Sequence, residues 1–151
     1  MKRLYPEQPV VGVGAVIVHA KKIVLIKRGN EPSRGKWTVP GGIVELAESL
    51  EKAVVRECKE ETGLESENPL LIDVVSNVDF DGQGKVKYHY IIIDYLIHIK
   101  GGQPEAASDA MELRWVTFDE VEGFDLTASF RLFFRHNREN LERVDSYNKG
   151  Q

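Results

Sequence analysis

Three glutamates share one face of a predicted helix. At about 100° per residue, Glu57, Glu60 and Glu61 continue the face that Leu50 and Val54 begin. The like charges repel one another at these spacings, and the carboxyl end of a helix disfavours anions further. Carboxylate oxygens are ligands that hard divalent cations prefer, so Mg²⁺ or Mn²⁺ would compensate the cluster. A solvated acidic helix end is the alternative, but the shared face with apolar residues argues against it.

The helix that carries these glutamates has signals at both of its ends. Ser49 can cap the amino end, and Gly63 is the residue type that commonly ends a helix in the left-handed conformation. Residues 50–62 contain neither proline nor glycine, so the sequence predicts a helix over this range. Cys58 lies within it and is interpreted as a small apolar residue, because no histidine lies in a supporting catalytic motif.

Short runs of β-branched residues predict the strands that position this helix. Residues 10–18 and 23–27 are predicted as two hairpin strands with a polar turn between them. Residues 70–78 and 113–118 are also strand-like. Residues 86–99 are nearly continuous in apolar side chains, which is typical of a central strand covered on both faces.

The order of the predicted elements favours an α+β domain. Strands and helices are mixed without a regular βαβ alternation, which indicates helices layered on a sheet. A C-terminal amphipathic helix is expected because apolar residues recur there at helical spacing. These residues are Phe130, Phe133, Phe134, Leu141 and Val144.

Composition and charge exclude several classes of protein. The 151 residues are 42% apolar and 29% charged, as in a single globular domain. The net charge of −4 disfavours a broad nucleic-acid surface, and the most apolar run, residues 90–99, is too short to span a membrane. The lone Cys58 cannot form an intramolecular disulfide, so we expect a cytoplasmic protein without nucleic-acid or membrane partners.

The segment 42–64 carries a spaced motif. Five residues separate Gly42 from Glu48, and seven more lead to the run RECKEETGL at residues 56–64. This segment resembles the Nudix box at every fixed position, and residues 11–134 resemble the Nudix hydrolase family more widely. The resemblance implies one Nudix domain over residues 1–151, folded as an α/β/α sandwich with a mixed sheet between helices.

The resemblance also implies a reaction and a set of metal ligands. Nudix hydrolases cleave a nucleoside diphosphate linked to another moiety, by attack of water on phosphorus with bound divalent cations. Glu57 and Glu61 resemble the principal metal ligands, Glu60 lies nearby directly or through water, and the Gly41 carbonyl is an additional ligand. Arg56 is similar to the family arginine that orients these glutamates.

Two other glutamates have counterparts in the family. Glu48 is the first box glutamate, which has a structural role or contacts the metal indirectly. Glu112 resembles a later glutamate that binds metal or acts as the general base. A surface acid at the end of a loop is the alternative for Glu112.

Several residues are expected to contact the substrate. Arg28 resembles an arginine that binds substrate phosphate, a task that suits a planar guanidinium. Lys36 lies in the same basic loop, where a solvated lysine is the alternative. Trp37 either packs beside Gly41 and Gly42 or touches a nucleobase. The predicted substrate-binding residues are Arg28, Lys36, Trp37, Gly41 and Gly42.

The branch of the family that the chain resembles favours ADP-ribose as substrate, giving AMP and ribose 5-phosphate. Many relatives specialised for ADP-ribose carry a proline beyond the box, where this chain has Asp79 and Phe80. The first alternative is therefore cleavage of a nucleoside triphosphate, including an oxidised one, to a monophosphate and pyrophosphate. A non-catalytic nucleotide sensor is the alternative of another class. Homodimer formation is a further hypothesis drawn from the resemblance.

Overall fold

Eight strands and three helices form the fold of residues 2–144, the part of the chain that the computed structural model describes. The strands are β1 (Val10–Val16), β2 (Val18–His19), β3 (Lys22–Arg28), β4 (Trp37–Thr38), β5 (Gly41–Ile43), β6 (Glu65–Phe80), β7 (Val86–Gly101) and β8 (Ala110–Thr117). The helices are α1 (Leu50–Thr62), a 3₁₀ helix (Phe118–Gly123) and α2 (Ala128–Arg143). Residue 1 and residues 145–151 of the predicted domain lie outside the described part.

The strands form two four-stranded sheets. The first has the order β5-β1-β7-β6, in which β1 and β7 are parallel and the other pairs antiparallel. In the second, β3 pairs antiparallel with β2, β4 and β8. The first sheet is mixed, as expected of this α+β fold, and β7 is one of its two inner strands, as its apolar sequence predicts.

The predicted hairpin of residues 10–18 with residues 23–27 is wrong in its first strand. The chain leaves the first sheet at Ile17, and only the short β2 pairs with β3, with Val18 opposite Ile23. The strand before it, β1, pairs with β5 and β7 instead. Local periodicity is the same in either sheet, because it reports which faces are buried and not which strands pair.

Apolar side chains alternate between two cores on opposite sides of the strands. Ala15 and Ile17 belong to the core that packs against α1, whereas Val16 and Val18 belong to the core that packs against α2. Successive residues of an extended chain point to opposite faces, so this segment contributes to both cores. The helices therefore cover opposite faces and produce the predicted α/β/α layering.

The helix α1 begins and ends as the sequence predicts. The Ser49 hydroxyl accepts a hydrogen bond from the Lys52 N–H at 3.2 Å. At the other end, Gly63 has a φ of 74°, and its N–H donates to the Lys59 carbonyl at 2.9 Å. Glycine adopts the left-handed conformation at little cost in free energy, so Gly63 ends the helix directly after the predicted metal ligands.

The predicted C-terminal helix is also present, as α2. Thr127 caps it by accepting from the Phe130 N–H at 3.2 Å. Phe130, Phe133 and Phe134 are buried in the core that this helix covers.

Between residues 2 and 144, no helix combines the length and apolar character needed to cross a membrane.

Candidate active site

Arg56 lies at the centre of the carboxylate cluster on α1. Its Nε and Nη2 donate to the two carboxylate oxygens of Glu48, at 2.6 and 2.9 Å. Its Nη1 donates to Glu57 Oε1 at 2.8 Å and to Glu60 Oε2 at 3.2 Å, and Nη2 also donates to the Ile43 carbonyl at 3.1 Å. The planar fork of the guanidinium is thereby fixed in one orientation.

Glu48 serves as the anchor for Arg56. The hydrogen bonds from Arg56, together with one from the Glu45 N–H at 3.0 Å, lower the pKa of Glu48 to about 2. The carboxylate is therefore ionised throughout the neutral range. This geometry supports the structural role among those expected of Glu48, because its two oxygens are occupied by Arg56 and the backbone.

Glu57 and Glu61 are two carboxylates held at the edge of the core. Glu61 is only 6% exposed, and its Oε2 accepts a hydrogen bond from the Gly41 N–H at 3.0 Å. Burial, followed by the nearby charge of Glu57 and opposed by the hydrogen bond from Gly41, raises the pKa of Glu61 to about 8. Burial also raises the pKa of Glu57 in spite of its ion pair with Arg56. These two groups therefore form a site at which a cation is favoured.

Glu60 does not share this burial, which corrects the predicted face of three core-facing glutamates. Its side chain is 46% exposed and contacts Arg56. Cys58 and Thr62 are fully buried on this part of the helix instead. Burial raises the pKa of the Cys58 thiol, in agreement with its interpretation as a packed helix residue.

Asp109 adds a third acidic group that the sequence reasoning did not single out. The loop before β8 packs on the carboxyl end of α1, where Ala107 N–H donates to the Glu61 carbonyl at 3.1 Å. The charge of Asp109 raises the pKa of both Glu57 and Glu61, and Asp109 lines the same pocket as they do. Asp109 precedes the predicted strand of residues 113–118 by four positions, and nothing in the local sequence distinguishes it from a surface loop acid.

A pocket of about 210 Å³ opens beside these carboxylates. Glu57 and Glu61 line it from α1, and Phe130 and Phe133 line it from α2. Strands of both sheets and the loop that follows β3 supply other parts of the wall. The predicted site residues that line the pocket are Arg28, Gly41, Gly42, Glu57 and Glu61.

Arg28 reaches the pocket from the end of β3. Its Nε donates to the Pro32 carbonyl at 2.7 Å, which holds the guanidinium against the loop. Its charge lowers the pKa of Glu61, opposing the effect of burial. Arg28 is thus a cation on the same pocket wall as the acidic helix, where an anionic substrate group would lie between the two.

Trp37 does not line the pocket, contrary to its predicted contact with substrate. The indole is 7% exposed and packs edge-on against Phe124, with ring centroids 5.2 Å apart. The Arg114 guanidinium lies 5.6 Å from the ring centroid. Trp37 therefore has the packing role that the sequence left open, with Phe124 rather than the paired glycines as its aromatic neighbour.

Four further predicted residues also lie outside the pocket wall: Arg56 and Glu60 on α1, and Lys36 and Glu112. The ammonium group of Lys36 pairs with Asp125 at 3.5 Å. Glu112 lies on β8, 3.7 Å from Lys27 Nζ and 3.4 Å from Arg114 Nη2. The structure thus brings Asp109, and not Glu112, to the acidic side of the pocket.

The donor chemistry of this wall fits a hard divalent cation. A β-carbon at Gly42 would lie 2.5 Å from both carboxylate oxygens of Glu57, so the glycine leaves room for the carboxylate against the backbone. Half-buried Glu57 and buried Glu61 provide oxygen ligands whose pKa values are raised chiefly by burial. Within residues 2–144 no three His, Cys, Asp or Glu side chains converge as a closed ligand set.

The layered sheets and the acidic α1 beside paired glycines define a Nudix-type fold and site. Residues 8–136 match the NUDIX domain family, and the chain belongs to the Nudix family as a pyrophosphohydrolase. It is 41% identical over 136 residues to the ADP-ribose pyrophosphatase of Methanocaldococcus jannaschii, covering 90% of this chain and 73% of that protein.

Solved structures agree with this assignment. The MutT Nudix hydrolase of Burkholderia pseudomallei matches with a TM-score of 0.72 and 36% identity, over 91% of this chain and 99% of that one. The Nudix domain of Shewanella oneidensis NrtR, solved with ADP-ribose, matches with a TM-score of 0.73 over 90% of each chain. At 23% identity, the second similarity concerns the fold alone.

Proposed function

We propose that this chain hydrolyses ADP-ribose to AMP and ribose 5-phosphate in a reaction that depends on Mg²⁺ or Mn²⁺. The observation that carries the proposal is the pair of carboxylates, half-buried Glu57 and buried Glu61, on the wall of a pocket that also contains Arg28. The 41% identity to an ADP-ribose pyrophosphatase supports ADP-ribose over other nucleotide substrates.

Glu57, Glu61 and the Gly41 carbonyl would hold the cation, with Glu60 contributing directly or through water. When bound, the divalent ion offsets the charge of the pyrophosphate and makes water a stronger nucleophile. Arg56 keeps the Glu57 carboxylate in place through the 2.8 Å hydrogen bond, and the Gly41 N–H does the same for Glu61. These fixed ligands need no rearrangement as charge develops on phosphorus.

The reaction also requires that the pyrophosphate be oriented for attack by water. Arg28, which also lines the pocket, is suited to bind phosphate oxygens. The oxygen of water forms a bond to one phosphorus while the bond from that phosphorus to the bridging oxygen breaks. The bridging oxygen leaves with the other phosphate, and the protons of water pass to a base and then to solvent.

Asp109 is our candidate for that base, because its carboxylate lies with Glu57 and Glu61 on the pocket wall. Glu112, the residue that the family resemblance favours as base or metal ligand, is the matched comparison. Asp109→Asn should lower kcat more than Glu112→Gln does, since only Asp109 lines the pocket. The opposite order would return the role to Glu112.

The experiment that tests the proposed function is hydrolysis of a panel of nucleotides with Mg²⁺, with EDTA as the control. The panel contains ADP-ribose, sugar nucleotides, dinucleotides, and ordinary and 8-oxo nucleoside triphosphates. Metal-dependent release of AMP and ribose 5-phosphate is the expected result. Preferential conversion of a triphosphate to monophosphate and pyrophosphate would select the first alternative, and tight binding without turnover would select the nucleotide sensor.

We further propose that two copies of the chain associate through β6, in the cytoplasm. β6 is an edge strand of its sheet, and large apolar side chains are exposed along it. These are Leu70, Leu71, Val74, Val78 and Phe80. A monomeric mass by light scattering would contradict the dimer.

The buried lone Cys58 is compatible with a reducing compartment.

A further inference from the structure

Asp94 is a buried carboxyl group on the pocket wall, away from the acidic helix. It lies in β7 and is only 4% exposed, yet it lines the pocket. Burial, followed by the charge of Asp73 on the neighbouring β6, raises the pKa of Asp94 to about 7. Within residues 2–144 the Asp94 carboxyl forms no ion pair or hydrogen bond. A buried polar group without a partner is costly, and a ligand that supplies a donor would remove this cost.

The absence of a side chain at Gly14 makes room for the Asp94 carboxylate beside the proposed metal ligands. Gly14 on β1 lies opposite both Gly41 on β5 and Asp94 on β7, so these three residues form a row across the sheet. Any side chain at Gly14 would collide with the Asp94 carboxylate and would lie 3.3 Å from Val39 Cγ2. The Asp94 carboxylate therefore lies over Gly14, one strand spacing of about 4.8 Å from Gly41, the next residue in the row.

The surroundings of Asp94 suit a flat, largely apolar group. Ile92 lies two residues away on the same face of β7, and Val39, Phe130 and Phe133 complete this part of the wall. Such a surface favours a nucleobase over a sugar, whose hydroxyl groups would need several polar partners. Adenine has an exocyclic amino group, and a carboxyl oxygen accepts from such a donor whether or not the acid is ionised.

We infer that Asp94 is a specificity-determining residue that accepts a hydrogen bond from the exocyclic amino group of the nucleobase. This inference rests on the proposed function, since the phosphates must lie at Glu57 and Glu61 for the base to reach Asp94. It assigns the two ends of the pocket different tasks. The glutamates and Arg28 bind the phosphates, and Asp94 selects a base that carries an amino donor.

The test compares binding of AMP with that of purine riboside 5′-monophosphate, which lacks the amino group, in the presence of Mg²⁺. Titration calorimetry gives Kd for wild type, Asp94→Leu and Asp94→Asn. In wild type, loss of the amino group should weaken binding about ten- to hundredfold. In Asp94→Leu, which has nearly the same shape without an acceptor, both ligands should bind equally. Asp94→Asn keeps an acceptor oxygen and should keep the preference for AMP.

An unchanged preference for AMP in folded Asp94→Leu would overturn the inference. A third ligand, 2′-deoxy-AMP, distinguishes the ribose from the base: if its penalty in wild type disappears in Asp94→Leu instead, the carboxyl binds the sugar and the inference is wrong. Thermal unfolding verifies that each variant is folded, and Asp94→Ala replaces the leucine variant if that one does not fold. Because binding of AMP needs no turnover, absent hydrolysis of ADP-ribose would contradict the proposed function alone.

Discussion

The carboxylate of Glu57 occupies the space where a side chain at Gly42 would begin. Both of its oxygens lie 2.5 Å from the position of a β-carbon at that glycine. The neighbouring Gly41 donates its N–H to Glu61 at 3.0 Å. Consecutive glycines in β5 thus set the positions of two carboxylates on α1, one through the absence of a side chain and the other through a backbone hydrogen bond.

Gly42→Ala should lower kcat/KM by about tenfold or more while the protein remains folded. The added methyl group displaces the Glu57 carboxylate, and a small displacement of a catalytic group is costly to the rate. Gly82→Ala is the matched control, because a β-carbon at Gly82 meets no atom within 4 Å. Steady-state kinetics of both variants provide the measurement. Equal activity of Gly42→Ala and Gly82→Ala would show that the close approach to Glu57 has no functional role.

Glu57→Gln and Glu61→Gln should each lower turnover by about a hundredfold or more without unfolding the protein. Each substitution removes a charge that would interact with the cation and the reacting phosphate, and burial of a neutral amide is less costly than burial of a carboxylate. Glu60→Gln should have a smaller effect, since Glu60 is largely exposed. Kinetics at saturating Mg²⁺ and thermal unfolding give the comparison. Folded variants with wild-type turnover would exclude the proposed roles.

The helix and its glutamates could be predicted because their signals are local. Ser49, Gly63 and the apolar period lie within a few residues of the positions that they determine. The degree of burial was less predictable, because the exposure of Glu60 depends on where the neighbouring strands end. Only the packed structure distinguishes Glu60 from Glu61, although both lie near the same helix face.

The parts of the site that sequence reasoning missed depend on contacts between distant segments. Asp109 lines the same pocket as Glu61 because the loop before β8 packs on the end of α1, and nothing in the local sequence specifies that packing. Asp94 resembles an interruption in an apolar strand until its glycine partner across the sheet is known. The burial of Trp37 likewise results from its contact with Phe124, 87 positions further along the chain.

Arg56→Lys should lower kcat/KM by about ten- to hundredfold despite conserving the charge. Lysine cannot reproduce the fork that donates to Glu48 and Glu57 together, so the Glu57 carboxylate loses its fixed orientation. Arg135→Lys is the control. This exposed arginine also pairs with a glutamate, Glu122, but neither residue lines the pocket. Similar activity of the two variants would argue against an orienting role for Arg56.

The raised pKa of Asp94 should make the contribution of this group to the stability of the protein fall as pH rises from about 4 to about 7. The ordinary pKa of 3.8 applies to the unfolded chain, and burial, with Asp73 nearby, raises the folded value to about 7. In this interval the folded state binds more protons than the unfolded state, so the free energy of unfolding decreases by about 1.4 kcal/mol per pH unit at most. Asp94→Asn lacks the titrating group and should become more stable relative to wild type over the same interval.

Urea unfolding of wild type and Asp94→Asn at about pH 4.5, 6 and 7.5 measures this pH dependence of the free energy of unfolding. These values cover the expected titration of Asp94. Asp81→Asn supplies a control of opposite sign. Hydrogen bonds from the N–H groups of Lys85 and Gln83 lower the pKa of Asp81, so its carboxylate stabilises the fold above its unfolded pKa and this contribution is lost as pH falls. Asp81→Asn should therefore be less stable than wild type near neutrality, whereas Asp94→Asn should be more stable. If wild type and Asp94→Asn instead lose stability in parallel, the carboxyl of Asp94 does not titrate in the folded protein over this range, and its burial does not determine the pH dependence.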